Sequence, residues 1–306
     1  MTQPSRATVV GGLALGVVAV SSSAILIVVA DDAPTLGIAF WRTFLGGLAL
    51  APWALRSRRD REPLTPRDRR LLLTSGVFLA AHFALFIGSL SFTTVASSVT
   101  LTTINPLFVA LGAYLWLGES LTRRTLGGML VTIAGAIVIG LGDASAVALG
   151  PRALLGDAMA FTAGICVTGY LLIGRVLRGH LPNTVYASTV YLVSGATLAL
   201  AAAGTGTPLT GYSATSWLAI LGLTVGPQLL GHTIFNALLR SVSPTTVSIV
   251  VLLEPVVATL LAWWLLRELP ADLYWVGAPV VFVGVFIATA ANGRRAREVA
   301  GAAAGP

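Results

Sequence analysis

The sequence predicts an all-α integral membrane protein whose ten transmembrane helices form two inverted five-helix repeats. Three observations predict this fold: an apolar composition, a pattern of residues that recurs along the chain, and arginines concentrated in alternate loops. Of 306 residues, 56% are hydrophobic and 10% are charged, which excludes a soluble globular domain. Because about 20 apolar residues cross the hydrocarbon core of a bilayer, this length accommodates roughly ten spans with short loops.

Ten apolar stretches follow one another along the chain. The first is too long, and too closely followed by the second, to be a cleaved signal peptide. The one cysteine, Cys166, lies in the sixth stretch, so no intrachain disulfide is expected. We predict membrane helices near 8–30, 34–55, 71–90, 94–117, 124–142, 153–174, 185–203, 215–239, 243–266 and 272–292.

The recurring residues divide the chain into two halves, 1–142 and 143–306, each with five spans. Five is an odd number, so the second half enters the membrane upside down relative to the first. Inverted repeats of this kind are typical of transporters, because two related halves can open alternately to either side. The recurring pairs are His82 and His232, Gly76 and Gly226, Pro106 and Pro255, Glu119 and Glu268, Gly128 and Gly277, Gly135 and Gly284, Pro34 and Pro182, and Gly47 and Gly195.

The charge distribution fixes a topology. All 19 basic residues are arginines. With the N-terminus in the cytoplasm, only Arg152 and Arg267 fall outside and Arg42 falls within a span, while every other arginine is cytoplasmic. This bias predicts that both termini are cytoplasmic. The arginines between residues 56 and 70 are then a topology determinant that contacts anionic membrane lipid, and no nucleic acid partner is expected.

Four segments resemble those of the EamA-type transporters of the drug/metabolite transporter (DMT) superfamily. They are "FWRTFLGG" (40–47), the segment 89–121 with its repeat partner 241–269, and "LGDAMAFTAGICVTGYLLIGR" (155–175). The resemblance covers essentially the whole chain and implies a central pathway and the export of small metabolites. One departure is Arg267, where the family usually has a glycine before the glutamate. The arginine-only, alanine- and glycine-rich composition fits a GC-rich genome, so we expect a bacterial cytoplasmic (inner) membrane.

A carboxyl group in the ninth span is the first candidate for the pathway. Glu254 lies near the membrane midplane, where an ionisable group costs about 2.5–3.5 kcal/mol, and it immediately precedes Pro255. Proline has no N–H, so it leaves one helix carbonyl unpaired and kinks the helix. Glu254 is therefore either a proton carrier or substrate contact, or a protonated residue that caps the kink. Pro106, preceded by Asn105, makes the same kink in the first repeat with a neutral side chain.

Polar residues of the eighth span form a second candidate group. Gln228, His232 and Asn236 have the spacing i, i+4, i+8, which predicts one helical face that is turned to protein or to a wet cavity. His82 lies at a similar depth in the third span. Each histidine either shares protons with Glu254 or is a neutral ring bonded between helices. No HExxH or paired-cysteine motif accompanies them, so neither a metal nor another cofactor is expected.

Four more residues are candidates for contact with a small-molecule substrate. Arg42, within the second span, could bind a substrate carboxylate, snorkel to the outer surface or, as we favour, pair with an acidic side chain. Ser98 could supply neutral hydrogen bonds, although serines commonly bond to their own helix. Tyr170 and Trp41 could stack on a flat substrate, or pack between helices. Glycines of the fifth and tenth spans predict close helix packing, at the periphery or in a homodimer contact: Gly127, Gly128, Gly135, Gly277 and Gly284.

Together these patterns predict an alternating-access secondary transporter that exports small metabolites, with amino acids or related compounds expected first. Substrate would bind among spans one, three, four, six, eight and nine. A multidrug or nucleotide-sugar carrier of the same fold is the alternative. The chain has no GxxxxGK[ST] loop to bind a nucleotide. An intramembrane enzyme would need a nucleophile and a base, for which the sequence offers only Ser21–Ser23 with His82, so we expect no enzyme; a membrane scaffold is the remaining alternative.

Overall fold

The computed structural model describes residues 5–58, 63–93, 95–119, 121–144, 152–267 and 272–303, and within these ranges it contains helices and no β-strand. Glu268, together with Arg59 and Arg61 of the arginine cluster, lies outside the described residues. The helices are α1 (Arg6–Ser21), α2 (Ser23–Val29), α3 (Thr35–Arg58), α4 (Pro66–Ser89), α5 (Val95–Thr102), α6 (Pro106–Leu117), α7 (Arg123–Ala144), α8 (Ala153–Arg178), α9 (Asn183–Thr205), α10 (Ala214–Leu223), a π-helix (Thr224–His232), α11 (Thr233–Leu238), α12 (Pro244–Val251), α13 (Glu254–Leu266) and α14 (Asp272–Ala303).

These helices form ten spans. Spans 1, 4, 8 and 9 are composite, built from α1–α2, α5–α6, α10 to α11 and α12–α13, and the other spans are single helices. In the described residues, nine segments are long and apolar enough to cross a membrane, and α7, with 22 residues, supplies the tenth span. The predicted fold class is confirmed.

Two span boundaries differ from the hydropathy pattern for local reasons. Helix α4 begins at Pro66 rather than near residue 71, because Thr65 and Asp68 form a capping box. The Thr65 hydroxyl accepts from the Asp68 backbone N–H at 3.1 Å, and the Asp68 carboxylate accepts from the Thr65 N–H at 3.3 Å. Helix α14 continues past residue 292 to Ala303. Charged end turns like these lengthen a helix but are not hydrophobic, so a hydropathy pattern does not include them.

The repeats pack so that equivalent spans make equivalent contacts. Helix α3 packs along α9, and α7 along α14, which places spans 2 and 5 against their own repeat mates, spans 7 and 10. Helix α4 packs on α8, while α1 packs on the π-helix, so spans 3 and 6 repeat the contact of spans 8 and 1. A twofold axis in the membrane plane relates inverted repeats in this way.

Glycines allow the close approach of α7 and α14. A Cβ atom added to Gly128 would lie 2.6 Å from the backbone nitrogen of Ala288, and one added to Gly135 would lie 2.8 Å from that of Val281. No side chain fits at such distances, so these positions require glycine. The glycine faces therefore pack against each other within one chain. Gly127 differs, since a Cβ there meets nothing within 4 Å.

Side-chain bonds join the repeats at one end of the molecule, here called the arginine-rich side, which carries the α3–α4 and α8–α9 loops. His180 Nε2 lies 3.1 Å from Asp68 Oδ1, and Arg175 Nε lies 3.9 Å from Glu119 Oε1. Burial raises the pKa of the Glu119 carboxyl, and the nearby Arg175 partly offsets that rise. Each pair joins a residue of the first repeat to one of the second.

Bonds also join the repeats at the other end, here called the opposite side. Asp32 accepts from the Ser213 backbone N–H at 2.6 Å and from the Ser216 hydroxyl. These hydrogen bonds, led by that of Ser216, lower the pKa of the Asp32 carboxyl. Trp41 Nε1 donates to the Leu209 carbonyl at 2.6 Å. The interface between the repeats is therefore bonded at both ends.

Candidate functional site

Spans 4 and 9 are broken in the middle, each at a proline. Helix α5 ends at Thr102 and α6 begins at Pro106, while α12 ends at Val251 and α13 begins at Glu254, next to Pro255. A proline removes one backbone donor, so these breaks leave polar backbone groups at membrane depth. Such groups are tolerated in a membrane where they are buried in protein or line a cavity.

Span 8 changes its winding between Thr224 and His232, where the helix is a π-helix. A π-helix forms i→i+5 bonds, so its turn is wider than that of an α-helix. Gln228 and Asn236 are fully buried and His232 is partly buried, so all three side chains are turned to protein or to a cavity. Gln228 contacts Arg42, Asn236 contacts Tyr170, and His232 lines a cavity.

A cavity of about 70 Å³ lies between the repeats, where spans 4 and 9 are broken. One water molecule needs about 10–15 Å³ on this measure, so the cavity holds several waters or a small organic molecule. Spans 1, 3, 4, 6, 8 and 9, which the sequence singles out, line the cavity, and Arg42 adds span 2. The lining residues are Val20, Ser23, Arg42, His82, Phe83, Phe86, Val99, Thr102, Thr103, Asn105, Val167, Leu171, Pro227, His232, Phe235, Val247, Val251 and Glu254.

The guanidinium of Arg42 is held in the cavity wall by neutral groups. Its Nε donates to Gln228 Oε1 at 3.3 Å, one terminal nitrogen donates to Ser23 Oγ at 3.1 Å, and its carbon lies 4.0 Å from the centre of the Phe83 ring. The residue is 1% exposed, which excludes snorkelling. In the described part of the chain no carboxylate oxygen lies within 4 Å of it, so the expected pairing with an acidic side chain is not observed. The remaining N–H groups are those that an anionic ligand would bind.

The two histidine repeat mates meet at the cavity. The ring centres of His82 and His232 lie 6.4 Å apart, and both residues line the cavity. His82 Nδ1 lies 3.0 Å from the Ala163 carbonyl, which can only accept, so Nδ1 carries a hydrogen. Among the described residues no hydrogen bond joins His82 to a serine; Ser21 donates to the Val17 carbonyl instead. The nucleophile–base pair of the enzyme alternative is therefore not formed.

Asn105 and Glu254 are also repeat mates, 149 residues apart, and both line the cavity. Glu254 contributes the carboxylate of the described lining, and its backbone carbonyl accepts from the Ser21 hydroxyl at 3.4 Å. Asn105 is 4% exposed, and within the described ranges its Oδ1 has no hydrogen-bond partner. Among the polar groups of the described lining, Arg42 thus brings donors, and Asn105 and Glu254 bring acceptors from equivalent positions.

Tyr170 and Asn236 lie behind the cavity wall, towards the arginine-rich side. The Tyr170 hydroxyl donates to Asn236 Oδ1 at 2.7 Å, and Asn236 Nδ2 donates to the Tyr191 hydroxyl at 3.4 Å. Gln228 is fully buried and reaches the cavity through its bond to Arg42. These residues, predicted as substrate contacts, therefore support the residues of the cavity lining and do not belong to the lining themselves.

Trp41 and Ser98 are placed elsewhere. Trp41 lies near the opposite side, with its ring 5.0 Å from that of Trp217. The Ser98 hydroxyl lies 2.5 Å from that of Ser89 and joins spans 3 and 4. The sequence does not predict the contact between Phe83 and the Arg42 guanidinium. A phenylalanine in a membrane helix usually packs against other apolar side chains, so nothing in the pattern marks this one as a cation contact.

Comparison with known proteins agrees with this architecture. The model of the EamA-like transporter family matches residues 9–141 and 154–290. The chain belongs to the EamA-like transporter family. This EamA-like transporter is 25% identical over 261 residues to an uncharacterized transporter of Archaeoglobus fulgidus, covering 83% of this chain and 87% of that protein. It is also 25% identical over 230 residues to the uncharacterized transporter YetK of Bacillus subtilis, covering 73% of this chain and 69% of that protein.

A solved structure supports the fold of this EamA-like transporter. One protein of known crystal structure superposes with a TM-score of 0.79 at 18% identity, covering 95% of this chain and 99% of the other. At this identity the likeness shows the fold alone. The family and the relatives together indicate a multi-pass membrane transporter rather than an enzyme.

Proposed function

We propose that this EamA-like transporter is a secondary carrier that exports small metabolites, amino acids or related compounds first among them, across a bacterial cytoplasmic membrane. The observation that carries the proposal is the position of Arg42: its guanidinium lines the same cavity as Glu254, and no carboxylate oxygen of the described residues lies within 4 Å of it. A substrate carboxylate would bind Arg42 through charge-assisted hydrogen bonds, and a substrate ammonium group would be drawn to Glu254. An α-amino acid carries both groups.

The proposed mechanism is alternating access. The halves 1–142 and 143–306 would rock about the cavity, so that the bonds of Asp32 at the opposite side and those of Arg175 and His180 at the arginine-rich side open in turn. We assign the arginine-rich side to the cytoplasm on the positive-inside bias. Outward transport follows the family resemblance.

The size and charge of the cavity favour an amino acid over the alternative substrates. The cavity, which holds several waters or a small organic molecule, is small for a nucleotide sugar. A purely cationic drug would be drawn to Glu254 but would be repelled by the Arg42 guanidinium and leave it without an anionic ligand.

Counterflow uptake in proteoliposomes tests the proposal. Vesicles loaded with unlabelled compounds are diluted into labelled pools of amino acids, nucleobases or quaternary amines, with protein-free liposomes as the control. Uptake of the amino-acid pool above the control, competed by its unlabelled members, is expected. Uptake of only another pool, or of none by folded protein, would overturn the proposed substrate class.

A further inference from the structure

The residues that precede the two mid-membrane prolines are repeat mates with different chemistry. Asn105 precedes Pro106, and Glu254, 149 residues later, precedes Pro255. Both line the cavity that lies between the inverted halves. The same position thus supplies a neutral acceptor from one half and a carboxylate from the other. The two acceptors share a cavity because the twofold axis of inverted repeats passes through the binding region.

The acceptor of Asn105 is unused by the protein. Across the described residues, its Oδ1 is buried without a hydrogen-bond partner, whereas the neighbouring Thr103 hydroxyl donates to the Val99 carbonyl at 2.8 Å. Buried side-chain acceptors in folded proteins are nearly always bonded, so an unbonded one at a cavity takes its donor from the cavity's contents, a water or a ligand. The Ser194 hydroxyl is also unbonded in the described structure, but Ser194 does not line the cavity.

The two charged residues of the described lining differ in the hydrogen bonds that they can make. Arg42 can only donate, and an ionised Glu254 can only accept. A free α-amino acid has the matching division, with an acceptor-only carboxylate and a donor-only ammonium group. That ammonium group has three N–H bonds, so it can satisfy a carboxylate and a neutral amide oxygen together.

We infer that Asn105 is a specificity-determining residue: its Oδ1 accepts a hydrogen bond from the substrate's amino group, which it shares with Glu254, while Arg42 binds the carboxylate. The inference rests on the proposed function, since it assumes an amino-acid substrate. It adds that the carrier selects for the free amine and rejects the same molecule without it. A site built to hydrogen-bond a substrate group discriminates strongly against an analogue that lacks the group.

The test measures how unlabelled compounds inhibit counterflow of the labelled amino-acid pool. L-Alanine, L-valine and L-phenylalanine are each compared with the analogue that lacks the amino group: propanoate, 3-methylbutanoate and 3-phenylpropanoate. The wild type should prefer the amino acid in each pair. Asn105→Leu should lower that preference about tenfold, the effect of one hydrogen bond to a charged group, without changing the inhibition constant of the analogue.

Matched variants distinguish selection from a structural effect. Asn105→Asp keeps an acceptor and should keep the preference for the amino acid. Ser194→Ala removes a buried, unbonded hydroxyl that does not line the cavity, so this variant should behave as wild type. Asn105→Ala replaces Asn105→Leu if the leucine variant does not fold. An unchanged preference in a folded Asn105→Leu or Asn105→Ala variant would overturn the role of Asn105 and leave the proposed function standing. Failure of every amino acid to inhibit the wild type would overturn both.

Discussion

Replacement of Arg42 by leucine tests whether this cation binds the substrate or only stabilises the fold. The guanidinium uses two of its groups on neutral partners, Gln228 and Ser23, and has N–H groups left for a ligand. A hydrogen bond to a charged group contributes roughly 1.5–3 kcal/mol, and 1.4 kcal/mol corresponds to a tenfold change in affinity. Loss of one such bond therefore predicts roughly 10- to 150-fold weaker substrate binding, and loss of a two-pronged contact predicts more.

The assay is equilibrium binding of a transported amino acid to purified protein, with the melting temperature measured on the same samples. The melting temperature identifies a folded Arg42→Leu variant, because this change leaves the Gln228 and Ser23 oxygens without their donor. Arg42→Lys keeps the charge but loses the planar fork, so an intermediate dissociation constant is expected. A folded Arg42→Leu variant with wild-type affinity would refute the assignment of the carboxylate to this residue.

Three further predictions concern coupling, packing and gating. If Glu254 carries the coupled proton, Glu254→Gln should abolish uptake driven by a pH gradient while counterflow exchange persists; unchanged pH dependence would end that hypothesis. Gly128→Leu should cost about 1–3 kcal/mol of stability, because a side chain there meets the backbone of α14, whereas Gly127→Leu, which meets nothing, should melt like the wild type; equal melting would contradict the packing. Asp32→Ala removes the bonds to Ser213 and should speed thiol labelling of a cavity cysteine from the opposite side, and an unchanged rate would show that these bonds do not close it.

The fold followed from the sequence because the bilayer imposes simple rules on length, hydropathy and charge. Ten apolar stretches and an odd number of spans in each repeat were enough to define it, while the orientation that the arginines indicate stays a prediction. The repeat also places His82 beside His232, and it places Asn105 and Glu254 in the lining of one cavity, since residues near the axis of inverted halves lie close to it from both sides. The hydropathy pattern does not predict the capping box that begins α4, because the residues of the box are polar.

The detail of the site depended on features that hydropathy does not encode. The spacing of Gln228, His232 and Asn236 predicts a face turned to protein, but it predicts neither the π-helix nor the bond between Gln228 and Arg42. The partners of Arg42 come from three other spans, so no local pattern reveals that they are neutral. The proposed function rests on the finding that no described carboxylate oxygen lies within 4 Å of Arg42, which only the assembled structure shows.

Alternating access to the cavity is tested most directly by thiol labelling of one cavity residue from each side of the membrane. Val251→Cys, in a background without Cys166, places a thiol in the cavity lining. A membrane-impermeant reagent should label it when added to either side of sealed vesicles, and a transported amino acid should slow both reactions. Labelling from one side only, or a rate that no transported amino acid changes, would contradict a carrier whose substrate site is this cavity.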